Sequence, residues 1–228
     1  MIKLVSRFNE EPIIDPNYIK IAASIKAYGT LKPFCTVWQT GSTLICKIDS
    51  HVTIYGDDFD ADELKNFLSA IGMSGISCSL GAAEKLGFPY KKVNVLECKK
   101  GVSAATVDFS PSCDRVYELL NMGTDGDIVL PDRMAFIADL SHRIRHETAL
   151  AATYKGTVCV APYIIKSGAL ICGVCAGENR GGGFTGLCVS ALVNRLARPT
   201  FVLCSDELLP FYKKYMFEKV GENAEIEF

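Results

Sequence analysis

Seven residues, Arg180-Gly181-Gly182-Gly183-Phe184-Thr185-Gly186, constrain this chain more than any others. An apolar run at 170–176 precedes them and reads as a buried strand. Residues 187–193, Leu-Cys-Val-Ser-Ala-Leu-Val, follow and read as a helix. A glycine-rich turn between strand and helix aims several backbone N–H groups at one spot, where the helix dipole adds partial positive charge. Without Cβ atoms the glycines let a ligand come close to the backbone. Arg180 adds a fork of charged donors suited to phosphate oxygens. Three glycines in a row cost more backbone entropy than a bare turn requires. The stretch therefore reads as a site for a diphosphate-bearing cofactor, with a ligand-free tight turn as the alternative.

Composition narrows the remaining classes. Of the 228 residues, 49% are hydrophobic, enough to pack one large domain or two small ones. A net charge of −2 with scattered Lys and Arg argues against a nucleic-acid partner. Residues 1–8 lack a long apolar segment and a cleavage pattern, so no secretory signal is expected. The most apolar region, 158–176, is interrupted by Pro162 and by Lys166-Ser167-Gly168 and is too short to cross a membrane as a helix. Ten cysteines are spread through apolar runs, as reduced thiols in a cytoplasmic protein would be. Only Cys172-Gly173-Val174-Cys175 has metal-like spacing, and on a strand the two thiols would point to opposite faces. Core packing is their expected role. His142 and His146 stand one helical turn apart, but Arg143 and Arg145 flank them and no glutamate lies between. A polar helix face is expected there, and no metal.

Punctuation divides the second half clearly. Strands are expected at 104–108, 149–154, 157–165, 169–176, 199–204 and 217–228. Helices are expected from Ser112 or Cys113 to about Met122, over 132–146 with Pro131 in the first turn, and over 208–215. The turns Lys155-Gly156 and Lys166-Ser167-Gly168 make the central strands an antiparallel meander. The first half reads as a weaker copy, with strands at 34–39, 43–49, 51–55, 75–79 and 92–97 and a helix over 62–71. Ile76-Ser77-Cys78-Ser79 answers Val202-Leu203-Cys204-Ser205, and Glu84-Lys85-Leu86-Gly87-Phe88 answers Lys213-Lys214-Tyr215-Met216-Phe217. Two similar α/β domains, 1–100 and 101–228, joined near Lys99-Lys100-Gly101, are the expectation. The first carries Gly56-Asp57-Asp58-Phe59-Asp60 between strand and helix, where three carboxylates would repel phosphate.

Gly181, Gly183 and Gly186 also spell G-x-G-x-x-G, and Asp206 stands 20 residues beyond, where a ribose-binding acid would be expected in a dinucleotide-dependent oxidoreductase. Against this, Gly177-Glu178-Asn179-Arg180 separates strand from fingerprint, and the neighbouring strands form a meander rather than a parallel sheet. A second pattern fits more of the chain. Arg180-Gly181-Gly182-Gly183-Phe184-Thr185 resembles the acetyl-CoA loop of the GNAT superfamily of N-acetyltransferases, with Thr185 in place of the last Gly or Ala. Downstream, Phe211-Tyr212-Lys213-Lys214-Tyr215-Met216-Phe217 resembles that family's closing segment, with Met216 in place of a glycine. The resemblance covers residues 104–228 and, more faintly, the first half.

The resemblance implies an α/β (α+β) fold with two GNAT-like domains, each a mixed, mainly antiparallel sheet flanked by helices, the first degenerate. It implies that Val174, Cys175 and Ala176 pair with the pantetheine arm of acetyl-CoA beside a splayed strand at 199–204. It implies that Arg180, Gly181, Gly182, Gly183, Phe184, Thr185 and Gly186 hold the pyrophosphate. It makes Tyr212 the acid that protonates the departing thiolate, and a primary amine of a small molecule or peptide the acceptor. Glu178, Glu147 and His146 are candidates for the base by position only, and Arg143 and Arg145 would border the acceptor. A non-catalytic acetyl-CoA sensor is the alternative.

Overall fold

The computed structural model describes residues 1–102, 105–123, 130–177, 179 and 181–228. The first half runs β1 (Lys3–Leu4), α1 (Pro16–Tyr28), β2 (Leu31–Lys32), β3 (Cys35–Thr40), β4 (Thr43–Ile48), β5 (His51–Tyr55), α2 (Ala61–Ile71), β6 (Gly75–Ser79), α3 (Leu80–Leu86) and β7 (Lys91–Cys98). The second continues with α4 (Cys113–Asn121), α5 (Arg133–Arg145), β8 (Leu150–Tyr154), β9 (Thr157–Ala161), β10 (Tyr163–Ile164), β11 (Ala169–Ile171), β12 (Gly173–Cys175), α6 (Phe184–Leu196), β13 (Thr200–Cys204), α7 (Leu209–Lys214) and β14 (Glu218–Glu227).

Local chemistry explains most boundaries. Ser112 caps α4 by accepting the Arg115 N–H at 3.1 Å. Asp132 caps α5, accepting from Met134 and Ala135, so Pro131 lies one residue outside the helix. The expected strand at 104–108 reduces, among the described residues, to a single bridge between Asp108 and Thr153. Asp15 caps α1 through the Asn17 and Tyr18 N–H groups, Pro16 opens the first turn and Gly29 closes the last. Burial on several sides leaves that helix without a sharp apolar stripe to mark it in the sequence.

Two sheets form. The larger has the order β1-β3-β4-β5-β6-β14-β7-β13-β11-β10, with β2 also on β3, and the smaller is β12-β9-β8. The pairs β5/β6 and β11/β13 are parallel, and the other pairs are antiparallel. The fold is thus mixed α/β with a mainly antiparallel sheet, and the expected meander is present in β8/β9, β9/β12 and β10/β11. Two expected strands are each broken in two. Pro162 separates β9 from β10 because it has no N–H for a ladder. The strand at 169–176 changes sheets at Cys172.

The two halves exchange their last strands. β14 lies between β6 and β7, pairing Ser77 with Glu225, while β7 lies between β14 and β13, pairing Leu96 with Val202. Read from either end, the centre of the sheet gives a parallel pair and then two antiparallel strands. Alternate residues of the shared strands face opposite layers. Val95, Leu170 and Phe201 pack under α1 with Ile19, Ala22 and Ala23. Leu96, Ile171 and Val202 pack under α6 with Val189, Leu192 and Val193. α2 and α3 cover Ile45, Ile54, Ile76 and Cys78. α4 and α5 cover the small sheet through Leu119, Leu120 and Leu140.

Deleting residues 217–228 strips the shared partner from β6 and β7. The truncated chain is expected to lose its cooperative thermal transition in circular dichroism. A transition like that of the full chain would show that this pairing is dispensable.

Candidate functional site

β11 runs parallel to β13 for three residue pairs, Ala169–Thr200 to Ile171–Val202. At the next residue the Cys172 N–H donates to the Val160 carbonyl at 3.1 Å, and Val174 then pairs with Cys159 of β9. β13 continues beside β7. The two strands therefore part, and one edge of β12 is left beside a cavity of about 470 Å³. That size lies within the roughly 300–1,000 Å³ usual for small-molecule sites. Val174, Cys175 and Ala176 form one wall, Phe211, Tyr212 and Tyr215 another, and Gly181, Gly183 and Thr185 the rim.

The rim is the head of α6. Gly183 has φ 72° and ψ 0°, the left-handed conformation that glycine adopts without strain, and makes no side-chain cap hydrogen bond. The leading N–H groups of a helix lack partners within it, so this end is open to an anion. Gly186 serves packing. A Cβ there would lie 1.8 Å from Cζ of Tyr215, whose ring fills the space and whose hydroxyl donates to the Gly183 carbonyl at 3.4 Å. Phe184 turns away from the cavity, edge-on to Tyr154 with the Lys155 ammonium 4.7 Å above its ring. Gly182, Phe184 and Gly186 thus back the turn, while Gly181, Gly183 and Thr185 face the cavity. Arg180 and Glu178 lie outside the described residues.

The corresponding turn of the first half is closed. The Asp60 carboxylate accepts the Glu63 N–H at 2.8 Å, capping α2 with the chain's own anion. Asp58 accepts the Ser42 N–H at 3.1 Å. This helix head holds a carboxylate where, among the described residues, the head of α6 holds none.

Tyr212 is 6% exposed, packed edge-on to Phe211 and Phe217 at 5.0 and 5.3 Å. It is both a core aromatic and a cavity wall. Burial, with smaller contributions from Cys159, Cys204 and Cys172, holds its hydroxyl well above the usual tyrosine range. The group stays protonated and can donate. Gly123, Leu208, Phe211, Lys214 and Tyr215 complete the lining. Phe211, Lys214 and Tyr215 lie in the segment that carries the resemblance, whereas nothing local in the sequence marks Gly123 or Leu208.

Other expectations are corrected. Cys172 is exposed, not a core residue, at the point where the strand changes sheets, while Cys175 is buried. His142 and His146 do share a face, with ring centroids 4.3 Å apart. Among the described residues no group of three or more potential ligands could hold a metal. Arg143 is not a solvated residue. It is buried, its Nε 2.9 and 3.1 Å from the two oxygens of Asp139. Arg145, His146 and Glu147 are exposed and do not line the cavity. The dinucleotide alternative requires a doubly wound parallel sheet, whereas this sheet is mainly antiparallel and Asp206 accepts a hydrogen bond from Asn94 at 2.8 Å.

Solved structures share this architecture. A GCN5-related N-acetyltransferase from Kribbella flavida superposes with a TM-score of 0.65 at 12% identity, covering 92% of this chain and 93% of its own. A tandem GNAT protein from the clavulanic acid biosynthesis pathway gives 0.53 at 10% identity, covering 91% and 86%. A GNAT-family acetyltransferase from Colwellia psychrerythraea gives 0.52 at 13% identity, covering 100% and 99%. The fold is that of the GNAT proteins. No protein-family model matches the sequence, and no curated protein matches it significantly. Among the described residues, no helix is long and apolar enough to cross a membrane.

Gly186→Ala is expected to cost about 1–3 kcal/mol through overpacking against the Tyr215 ring. Thermal denaturation measures this, and adding Tyr215→Leu should recover most of the loss.

Proposed function

We propose that this protein is an acetyl-CoA-dependent N-acetyltransferase that transfers an acetyl group to a primary amine of a small molecule or peptide. One observation carries the reading. β12 parts from β13 beside a cavity whose rim is an uncapped helix head and whose wall includes a protonated, buried tyrosine. The GNAT architecture of the solved neighbours supports it, and one of them is named as a tandem GNAT protein solved without AcCoA.

In this reading the free edge of β12, at Val174 and Cys175, offers N–H and C=O groups to the amides of a pantetheine arm, as an added strand would. The N–H groups at Gly181, Gly183 and the start of α6, with Arg180, take the diphosphate. An N–H of β12 stabilises the oxyanion formed when the amine attacks the thioester carbonyl. Tyr212 gives its proton to the sulfur that leaves, and the proton shed by the attacking nitrogen passes to solvent water, from which the tyrosine is reprotonated. Holding amine and thioester together supplies much of the rate. Residues 101–228 form the catalytic domain and residues 1–100 a degenerate copy. The self-capped head of α2 and the mirrored strand order support that division. Ten free cysteines agree with a reducing, cytoplasmic setting.

A thermal-shift panel of acetyl-CoA, CoA, NAD and NADP tests the ligand, since stabilisation grows with ligand excess over its dissociation constant. Acetyl-CoA and CoA are expected to raise the melting temperature, and NAD and NADP are not. Tyr212→Phe is expected to lower turnover of acetyl-CoA with an amine panel by about 10²–10⁴-fold while changing CoA affinity little. Unchanged turnover removes Tyr212 from the mechanism. Binding without turnover on any amine favours the sensor.

A further inference from the structure

The described lining of the cavity at the head of α6 carries charge of one sign. Its polar side chains are Cys175, Thr185, Tyr212, Lys214 and Tyr215, and among the described residues no carboxylate and no imidazole joins them. Two are already committed. The Cys175 sulfur accepts the Gly177 N–H at 3.1 Å, and the Tyr215 hydroxyl donates to the Gly183 carbonyl at 3.4 Å. Thr185, Tyr212 and Lys214 are free, since no described residue makes a hydrogen bond or ion pair with their side chains. Tyr212 is 6% exposed, yet the sealed hydroxyls without a partner belong, among the described residues, to Thr43 and Ser190. The Tyr212 hydroxyl therefore opens into the cavity, where water or a ligand must satisfy it.

Lys214 is the last residue of α7, and Thr185 is the second of α6. The Tyr215 ring links the two elements. The Lys214 ammonium stands 5.8 Å from its centroid, and its hydroxyl reaches the turn at Gly183. Ammonium and uncapped helix head thus face one cavity from two sides. Both are positive, the first by a full charge and the second by about half a charge. An anion between them is attracted by both, a cation is repelled by both, and a neutral molecule gains from neither. The backbone is open to its approach, because a Cβ at Gly181 would meet no atom within 4 Å. Thr185 adds an O–H donor on the same rim, where a glycine or alanine would add none.

We propose that the Lys214 ammonium and the Thr185 hydroxyl grip the diphosphate of the coenzyme, one from α7 and the other from α6, beside the amides of the turn. The assignment rests on reading this cavity as the coenzyme site. It gives Lys214 a part in selecting a phosphorylated donor over bare pantetheine.

Calorimetric titration of the full chain at low salt with CoA, and with dephospho-CoA, which keeps the diphosphate but lacks the ribose phosphate, tests it. Lys214→Gln is expected to weaken both about three- to tenfold and by the same factor, while Lys214→Arg holds within about twofold. Thr185→Val keeps the shape of the side chain without its hydroxyl and should also weaken both about three- to tenfold. Melting temperatures without ligand should not change, because Lys214 is exposed and Thr185 has no side-chain hydrogen bond to lose. Added salt should lower the affinity of the unaltered chain more steeply than that of Lys214→Gln. Three results overturn the proposal. CoA binding within about twofold of the unaltered chain in Lys214→Gln or in Thr185→Val removes that side chain from the grip. A loss confined to CoA moves the ammonium to the ribose phosphate. Failure of both ligands to bind the unaltered chain overturns the coenzyme reading itself, and only this last result does so.

Discussion

At Cys172 a single strand gives up one neighbour for another, and the candidate site follows from that step. Upstream, three residues are tied to β13, and downstream, three are tied to β9. Backbone groups in a folded interior must be paired. A strand edge facing a cavity instead of a neighbour leaves its N–H and C=O groups to water or to a ligand. α6 and α7 close the space around that edge, one presenting its helix head and the other Tyr212. Burial does two jobs for Tyr212. It fixes the ring against Phe217 and keeps the hydroxyl protonated.

Near its centre the large sheet treats the two halves of the chain alike, but β8, β9 and β12 of the second half form a sheet of their own, and the helix heads differ. Around the β14/β7 pair the order of strands repeats outward in both directions. At the equivalent helix starts, Asp60 accepts a backbone N–H of α2, and Gly183 leaves α6 without a side-chain cap. A capped helix head has little left to offer a phosphate, whereas an uncapped one in a cavity wall retains both its N–H groups and its dipole. The difference between the two helix heads is thus carried by a few residues.

Much of this could be read from the residues. Gly183 at a left-handed position, Ser112 as a cap and the turn at Lys155-Gly156 each impose local geometry through chemistry visible in one or two side chains. The repeat of Ile76-Ser77-Cys78-Ser79 in Val202-Leu203-Cys204-Ser205 identified β6 and β13, which occupy matching places in the sheet. What escaped reading was set by partners distant in sequence. α1 is buried on several sides, so it lacks a sharp apolar stripe, although Asp15-Pro16 and Gly29 marked its ends. The break at Cys172 is invisible in an unbroken apolar run, because only the competing edges of β13 and β9 decide it. Arg143 looked like a surface residue, since nothing nearby in sequence announces Tyr28 and Tyr163 as its stacking partners.

The exchange of final strands also sets an order of events during synthesis. Ser77 and its partner Glu225 are 148 residues apart. At about 5–20 residues per second, β6 and β7 wait on the order of ten seconds or more for the strand that will lie between them. During that interval two unpaired edges stand open on the nascent chain, each able to pair with a neighbour on the same polysome. Both edges close only when residues 218–227 have been made and take their place between β6 and β7.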